Sequence, residues 1–141
     1  MIAELITNRV VESFQIGEYS AWIGLSDDFN LRCDSLLRFV GDDGTFITNE
    51  DHVHQFGLSE PIDAEAEISK RIQDKIISSV EAKSDTGDLT LRLNGGRLEM
   101  LCSSSGYENW TLNGPDGLLI VGYGRGAKDF ILGDDGIARE T

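Results

Sequence analysis

The residues of this chain whose types and spacing could do chemistry fall into four groups. Gly122-x-Gly124-x-Gly126 has the look of a phosphate-cradling loop. Such a loop needs a strand running straight into a helix N-terminus, and here a loop and a short strand, Phe130-Ile131-Leu132, follow. A tight turn is the better account. His52 and His54 stand two apart beside Glu50 and Asp51, but no third group of ligand spacing follows, so no metal site is expected and the segment reads as an exposed connector. Cys33 and Cys102 fall on the apolar phase of alternating segments, where a thiol is a small hydrophobe and not a nucleophile. The carboxylate pairs Asp27-Asp28, Asp42-Asp43, Glu50-Asp51 and Asp134-Asp135 could suggest paired acid and base. Three of the four lie in turn signals, where Asp is favoured for its local hydrogen bonds. No catalytic residues, cofactor or metal ligands are therefore expected.

Alternating segments must carry these groups. Arg9 to Ile16, Tyr19 to Leu25, Phe29 to Cys33, Leu36 to Val40 (after a bend or bulge at Asp34-Ser35) and Thr45 to Thr48 read as strands of an antiparallel meander, with Val10 and either Phe14 or its neighbours inward in the first and Trp22 opposed to Ala21, Ile23 and Leu25 in the second. Gly41-Asp42-Asp43-Gly44 is a hairpin turn. After a polar connector ending in Pro61, the period changes. Asp63 caps a helix with Glu65 and Glu67 in its first turn, Lys70, Arg71 and Lys75 later, and Ala64, Ile68 and Ile72 on its buried stripe.

Ile68, Ile72, Ile76 and Val80 would extend the helix, whereas Ile76, Ser78, Val80 and Ala82 fit a strand. Internal similarity decides for the strand. Arg9-Val10-Val11-Glu12-Ser13-Phe14 reappears as Lys75-Ile76-Ile77-Ser78-Ser79-Val80, and two further strands follow in each copy. The expectation is an α+β domain spanning 1–141, mostly antiparallel β-sheet. It is built from two related three-stranded units, within about 8–48 and 75–112, joined by one helix at about 63–74. Eight or nine strands are expected in all.

The charge is the informative number. Twelve basic and 25 acidic residues give −13, and between Asp27 and Asp63 nine acidic residues face only Arg32 and Arg38. Such a chain repels nucleic-acid phosphates and anionic membranes and attracts basic partners. No apolar run approaches the ~20 residues of a bilayer span, no secretory signal is visible, and two cysteines suit a reducing compartment. Cytoplasmic residence is expected.

The most distinctive stretch is Tyr107-Glu108-x-Trp110-x-Leu112-x-Gly114-Pro115-x-Gly117, an aromatic arm running into a Pro-Asp-Gly turn. It resembles the closing box of a family of small bacterial proteins whose members are similar to immunity-type proteins encoded beside polymorphic toxins. The order of the family's parts can be traced from Asn8 to Gly126. Gln73-Asp74 stands where that family often has Leu-Gly, and Phe130-Ile131-Leu132 where it often has an aliphatic-Trp strand. The resemblance implies a protein that binds and neutralises a cognate, basic toxin by occluding its active site, with no enzymatic activity of its own. The partner-binding residues expected are the turn acids Asp27, Asp28, Asp42, Asp43, Glu50 and Asp51, with Asp134 and Asp135 behind them, together with Trp22 and Glu108. The rival expectation is a small ligand-binding or enzymatic domain with a cleft near Tyr107, Glu108 and His52.

Overall fold

Period-two alternation of apolar residues yields strands throughout the computed structural model, which describes residues 1–141. In chain order they are β1 (Val11–Ile16), β2 (Ala21–Leu25), β3 (Phe29–Cys33), β4 (Leu36–Gly41), β5 (Phe46–Thr48), β6 (Ser79–Ala82), β7 (Leu89–Leu93), β8 (Gly96–Leu101), β9 (Trp110–Asn113), β10 (Leu118–Tyr123), β11 (Gly126–Leu132) and β12 (Ala138–Glu140). Helix α1 (Ile2–Ile6) precedes them and α2 (Ala64–Ile72) separates β5 from β6. The fold is α+β and mostly antiparallel sheet. There are twelve strands and two helices, more than expected, because α1 is too short to show a helical period and the glycine-rich C-terminal segment also pairs.

Two sheets form, with strand orders β1-β2-β3-β9-β10-β11-β12 and β5-β4-β8-β7-β6. The expected single meander is therefore cut in two: at Asp34-Ser35 the chain leaves the first sheet, and β4 pairs with β8 in the second. In return, β9 follows β8 but pairs with β3. Alternation is the same on either side of such a crossing, so the exchange leaves no trace in the periodicity. Ile23, Leu31, Trp110 and Leu112 from one sheet and Leu37, Phe39, Leu91, Leu98 and Met100 from the other belong to one buried cluster, as does Cys33. A register shift between Val11 and Ser13 corrects the first strand: Val11, not Val10, is fully buried, with Phe14 three residues on.

Each helix lies along a sheet edge. Glu65 of α2 accepts a hydrogen bond from the Ile16 N–H (2.8 Å), and Gln73 just beyond it donates to the Glu12 carbonyl (2.8 Å), so β1 offers few free groups to a stray strand. Helix α1 packs beside β6. The Asp63 carboxylate accepts from the Ala66 N–H (3.0 Å), the expected N-cap. Asp63→Ala is expected to destabilise the protein by about 1 kcal/mol, read as a lower denaturation midpoint with an unchanged slope.

Where β1 and the start of the 75–82 segment meet, the hydrogen bonds come in matched pairs about a Val10–Ile76 bridge. Asn8 N–H donates to Ile77 O (2.7 Å) and Asp74 N–H to Val11 O (2.9 Å). Val11 N–H donates to Lys75 O (2.8 Å) and Ile77 N–H to Arg9 O (2.9 Å). Asn8 and Asp74 both take left-handed backbone angles (φ 73° and 62°), which their short polar side chains tolerate.

On the second sheet, register places Glu99 opposite Arg38, and both Arg38 (3.2 Å) and Arg97 (2.8 Å) donate to it. Burial alone would raise the Glu99 pKa, but the hydrogen bonds from Arg38 and then Arg97 outweigh it, so the folded value lies below the usual 4.5. A carboxylate depressed on folding stabilises the protein above its unfolded pKa, and that stability is lost as pH falls through the folded value. Glu99→Gln is expected to cost about 1–2 kcal/mol at pH 7. The difference from the parent should shrink as pH drops below 4.5, as urea midpoints at pH 7, 5, 4 and 3 would show.

Candidate functional site

The glycine motif is explained by packing. Tyr123 to Gly126 forms the tip of the β10–β11 hairpin, as the expected tight turn requires. A Cβ at Gly122 would lie inside the Trp110 indole, one at Gly124 would meet the Ser104 carbonyl at 2.7 Å, and Gly126 has φ 112°. His52 and His54 serve different neighbours. The Nδ1 of His52 accepts from the Ala64 (3.1 Å) and Glu65 (3.4 Å) N–H groups, capping α2 from outside the helix, while His54 stacks on Phe56 with centroids 5.4 Å apart. Cys33 is buried and Cys102 half-buried. Burial pushes both thiols up, Cys102 to about 11, so neither is an activated thiolate.

The expected partner-binding residues divide between two ends of the molecule. At one end, Asp27 pairs with Arg9. Asp43 accepts from the side chain and backbone of Thr45 and then from Arg71 (3.0 Å), which together hold its carboxyl far below the usual range. Asp42 and Asp43 share their concavity with Lys70, Arg71 and Lys75, so the field there is largely cancelled. Asp28, in the β2–β3 turn, is exposed at the same end.

The opposite end collects Trp22, Glu50, Asp51 and Glu108. The β1–β2 turn and the turn after β5 together line an open cavity of about 560 Å³ whose walls include Glu18, Tyr19, Ser20, Glu50, His52 and Val53. Trp22 lies against Gly17 of the first turn and is partly exposed. Ser20 bonds to Asp34, and the Asp34 N–H donates to the Asn109 carbonyl (2.8 Å), which brings Tyr107 and Glu108 to the same end. Arg32 is also here, tied to Asp34 at 3.2 Å.

Sequence reasoning missed the apolar component of this end. Tyr19 is 82% exposed, Tyr107 77%, Val53 70% and Phe56 66%, with Leu58 also outside the core. Val53 N–H donates to Ile62 O (2.8 Å) and Ile62 N–H to His54 O (2.7 Å), closing residues 54–61 into a loop. Val53 and Phe56 are held at φ 62° and 47°. A β-branched residue there is strained, and such strain gathers at sites with a task. The signal available in the sequence was Val53, Phe56 and Leu58 within an otherwise polar connector. From Phe39 to Ser69, 31 residues, the chain contains eight acidic residues and no Lys or Arg. His52 lines this cavity, whereas Tyr107 and Glu108 lie on the loop before β9 and do not wall it.

The fold and site define an antiparallel α+β protein with a polarised, acidic and aromatic end, and no helix is long and apolar enough to cross a membrane. Compared with known proteins, the chain matches no family model, no curated protein and no solved structure.

Proposed function

We propose that this chain is an acidic immunity-type protein that binds a cognate basic toxin in the bacterial cytoplasm and neutralises it by covering its active site. The observation that carries this reading is the end built from Glu18, Tyr19, Glu50, Val53 and Phe56: large exposed apolar side chains set among carboxylates, with Glu50, Val53 and Phe56 on a stretch that has no Lys or Arg. Aromatic anchors with a charged surround are the composition of a protein-binding hot spot. A net charge of −13 draws a cationic partner in at rates above those of neutral proteins. Occlusion requires no catalytic group. Asp27, Asp28, Asp42 and Asp43, at the far end and beside neighbouring bases, act only through the net charge of the chain, while Trp22, Glu50, Asp51 and Glu108 sit at the contact.

The scaffold reads as two related three-stranded units, β1-β2-β3 and β6-β7-β8, each followed by a strand given to the other sheet. The matched hydrogen bonds about Val10 and Ile76 support that relation. The test is co-expression with the basic product of the adjacent gene. The parent chain should restore growth and Glu18→Lys/Glu50→Lys should not, with circular dichroism confirming that the variant folds. Rescue by that variant at parental level would count against the reading.

A further inference from the structure

The 25 acidic residues outnumber the twelve basic ones, and seven of those twelve are ion-paired. Three of the other five, Lys83, Arg125 and Lys128, converge on the tip of the β10–β11 hairpin. With acid in excess, cations left unpaired together at one corner are the feature to explain. Two concavities flank this tip and share Arg125, Gly126 and Ala127 as a common rim. One, of about 320 Å³, opens against the β6–β7 loop: Lys83, Ser84 and Arg125 edge it, and Met1, Ala82 and Ala127 supply its exposed apolar surface above the buried Ile2, Trp110 and Ile120. The other, of about 290 Å³, is edged by Arg125, Lys128, Ser105 and Tyr123. The hydroxyls of Ser84, Ser105 and Tyr123 make no hydrogen bond within the chain, so donors are free on both sides of the tip. Asp129 is the one carboxylate in the lining, against the three cations.

We infer that this corner binds a small organic anion with an apolar body, its head held by Lys83 and Arg125 and its tail laid against Met1, Ala82 and Ala127. The size matches the lower end of small-molecule sites, and the combination of an apolar wall with a few polar groups is their usual make-up. Solubility is a weak account of these cations, because added Lys or Arg serve it less well than added Asp or Glu. The corner shares no lining residue with the Glu18–Tyr19–Glu50 cavity, although Ser105 on its edge belongs to the loop before β9.

Octanoate serves as the probe, followed by backbone amide shifts of the full chain. Saturable shifts are expected at Ser84, at Ile120 and from Gly122 to Lys128. Octylamine, with the same tail and the opposite charge, should leave these amides unmoved. Lys83→Glu/Arg125→Glu should weaken octanoate at least about tenfold, whereas Lys75→Glu/Arg92→Glu, which changes net charge equally at unpaired cations elsewhere, should not. If the first variant is unfolded by circular dichroism, Lys83→Gln/Arg125→Gln takes its place with the same expectation. Shifts that are absent, that centre on residues 53–58, that octylamine reproduces, or that survive loss of both cations would overturn the inference.

Discussion

Trp110→Ala is expected to be the most damaging single substitution in this protein, costing about 3–5 kcal/mol. The indole is fully buried, and its Nε1 donates to the Gly87 carbonyl at 2.8 Å. Three segments depend on it. Strand β9 carries it, the β6–β7 loop is anchored through Gly87, and β10 lies so close that residue 122 has no room for a side chain. Truncation opens a cavity and also strands a buried carbonyl, and the two costs add. For a domain of this length the melting temperature should fall by roughly 10 °C, measurable by calorimetry. Two companions separate the contributions. Trp110→Phe keeps most of the packing and loses the donor, so about 1–3 kcal/mol is expected. Gly122→Ala drives a methyl into the ring and should cost a similar amount through overpacking. If Trp110→Ala melted within 2–3 °C of the parent, the indole would not be the keystone that its contacts describe.

On the proposed function, Tyr19→Ala/Phe56→Ala is expected to cost the largest share of affinity for the basic partner, about 100-fold or more if each ring is worth the ~2 kcal/mol of a hot-spot residue. Tyr19 is almost wholly in solvent and Phe56 has only its stack on His54 to lose, so the free protein should lose no more than about 1 kcal/mol. That contrast is the diagnostic part: affinity lost through slower folding or a damaged core would lower the melting temperature, and affinity lost at a contact would not. Neutralising Asp27, Asp28, Asp42 and Asp43 together should act differently. It should lower the association rate and its salt dependence while leaving dissociation nearly unchanged, because charges outside the contact act through steering. Stopped-flow association at several salt concentrations reads both.

Much of the fold was legible because its determinants are local. The alternation in Ala21–Leu25 and Phe29–Cys33, the Asp63 cap with its Ala64, Ile68 and Ile72 stripe, and the Gly41-Asp42-Asp43-Gly44 turn each specify their element within a few residues. What stayed hidden is non-local. The crossing at Asp34-Ser35 depends on whether β4 finds a better partner in β3 or β8, and nothing in β4 itself records the choice. The bulge after Val11 moved the inward residue by one through pairing with β2. The candidate site was half legible. Glu50, Asp51, Trp22 and Glu108 were picked out together with Asp27, Asp28, Asp42 and Asp43 because all are acidic or aromatic. In an antiparallel chain, however, consecutive turns alternate between ends, so the turns at 26–28 and 41–44 fall together and those at 17–20 and 49–53 fall opposite. Charge counting along the chain averages over that parity. It also passed over Tyr19, Val53 and Phe56, which look like ordinary core residues until the structure leaves them outside.

The central claim is that the basic partner sits on the end formed by the β1–β2 turn, the 49–62 segment and the loop before β9. Hydrogen–deuterium exchange of the chain, free and bound to the basic partner that the proposal requires, tests it most directly. Protection on binding should concentrate in residues 17–20, 49–62 and 104–109 and leave 26–28 and 41–44 unchanged. Protection confined to 26–28 and 41–44 would contradict the account.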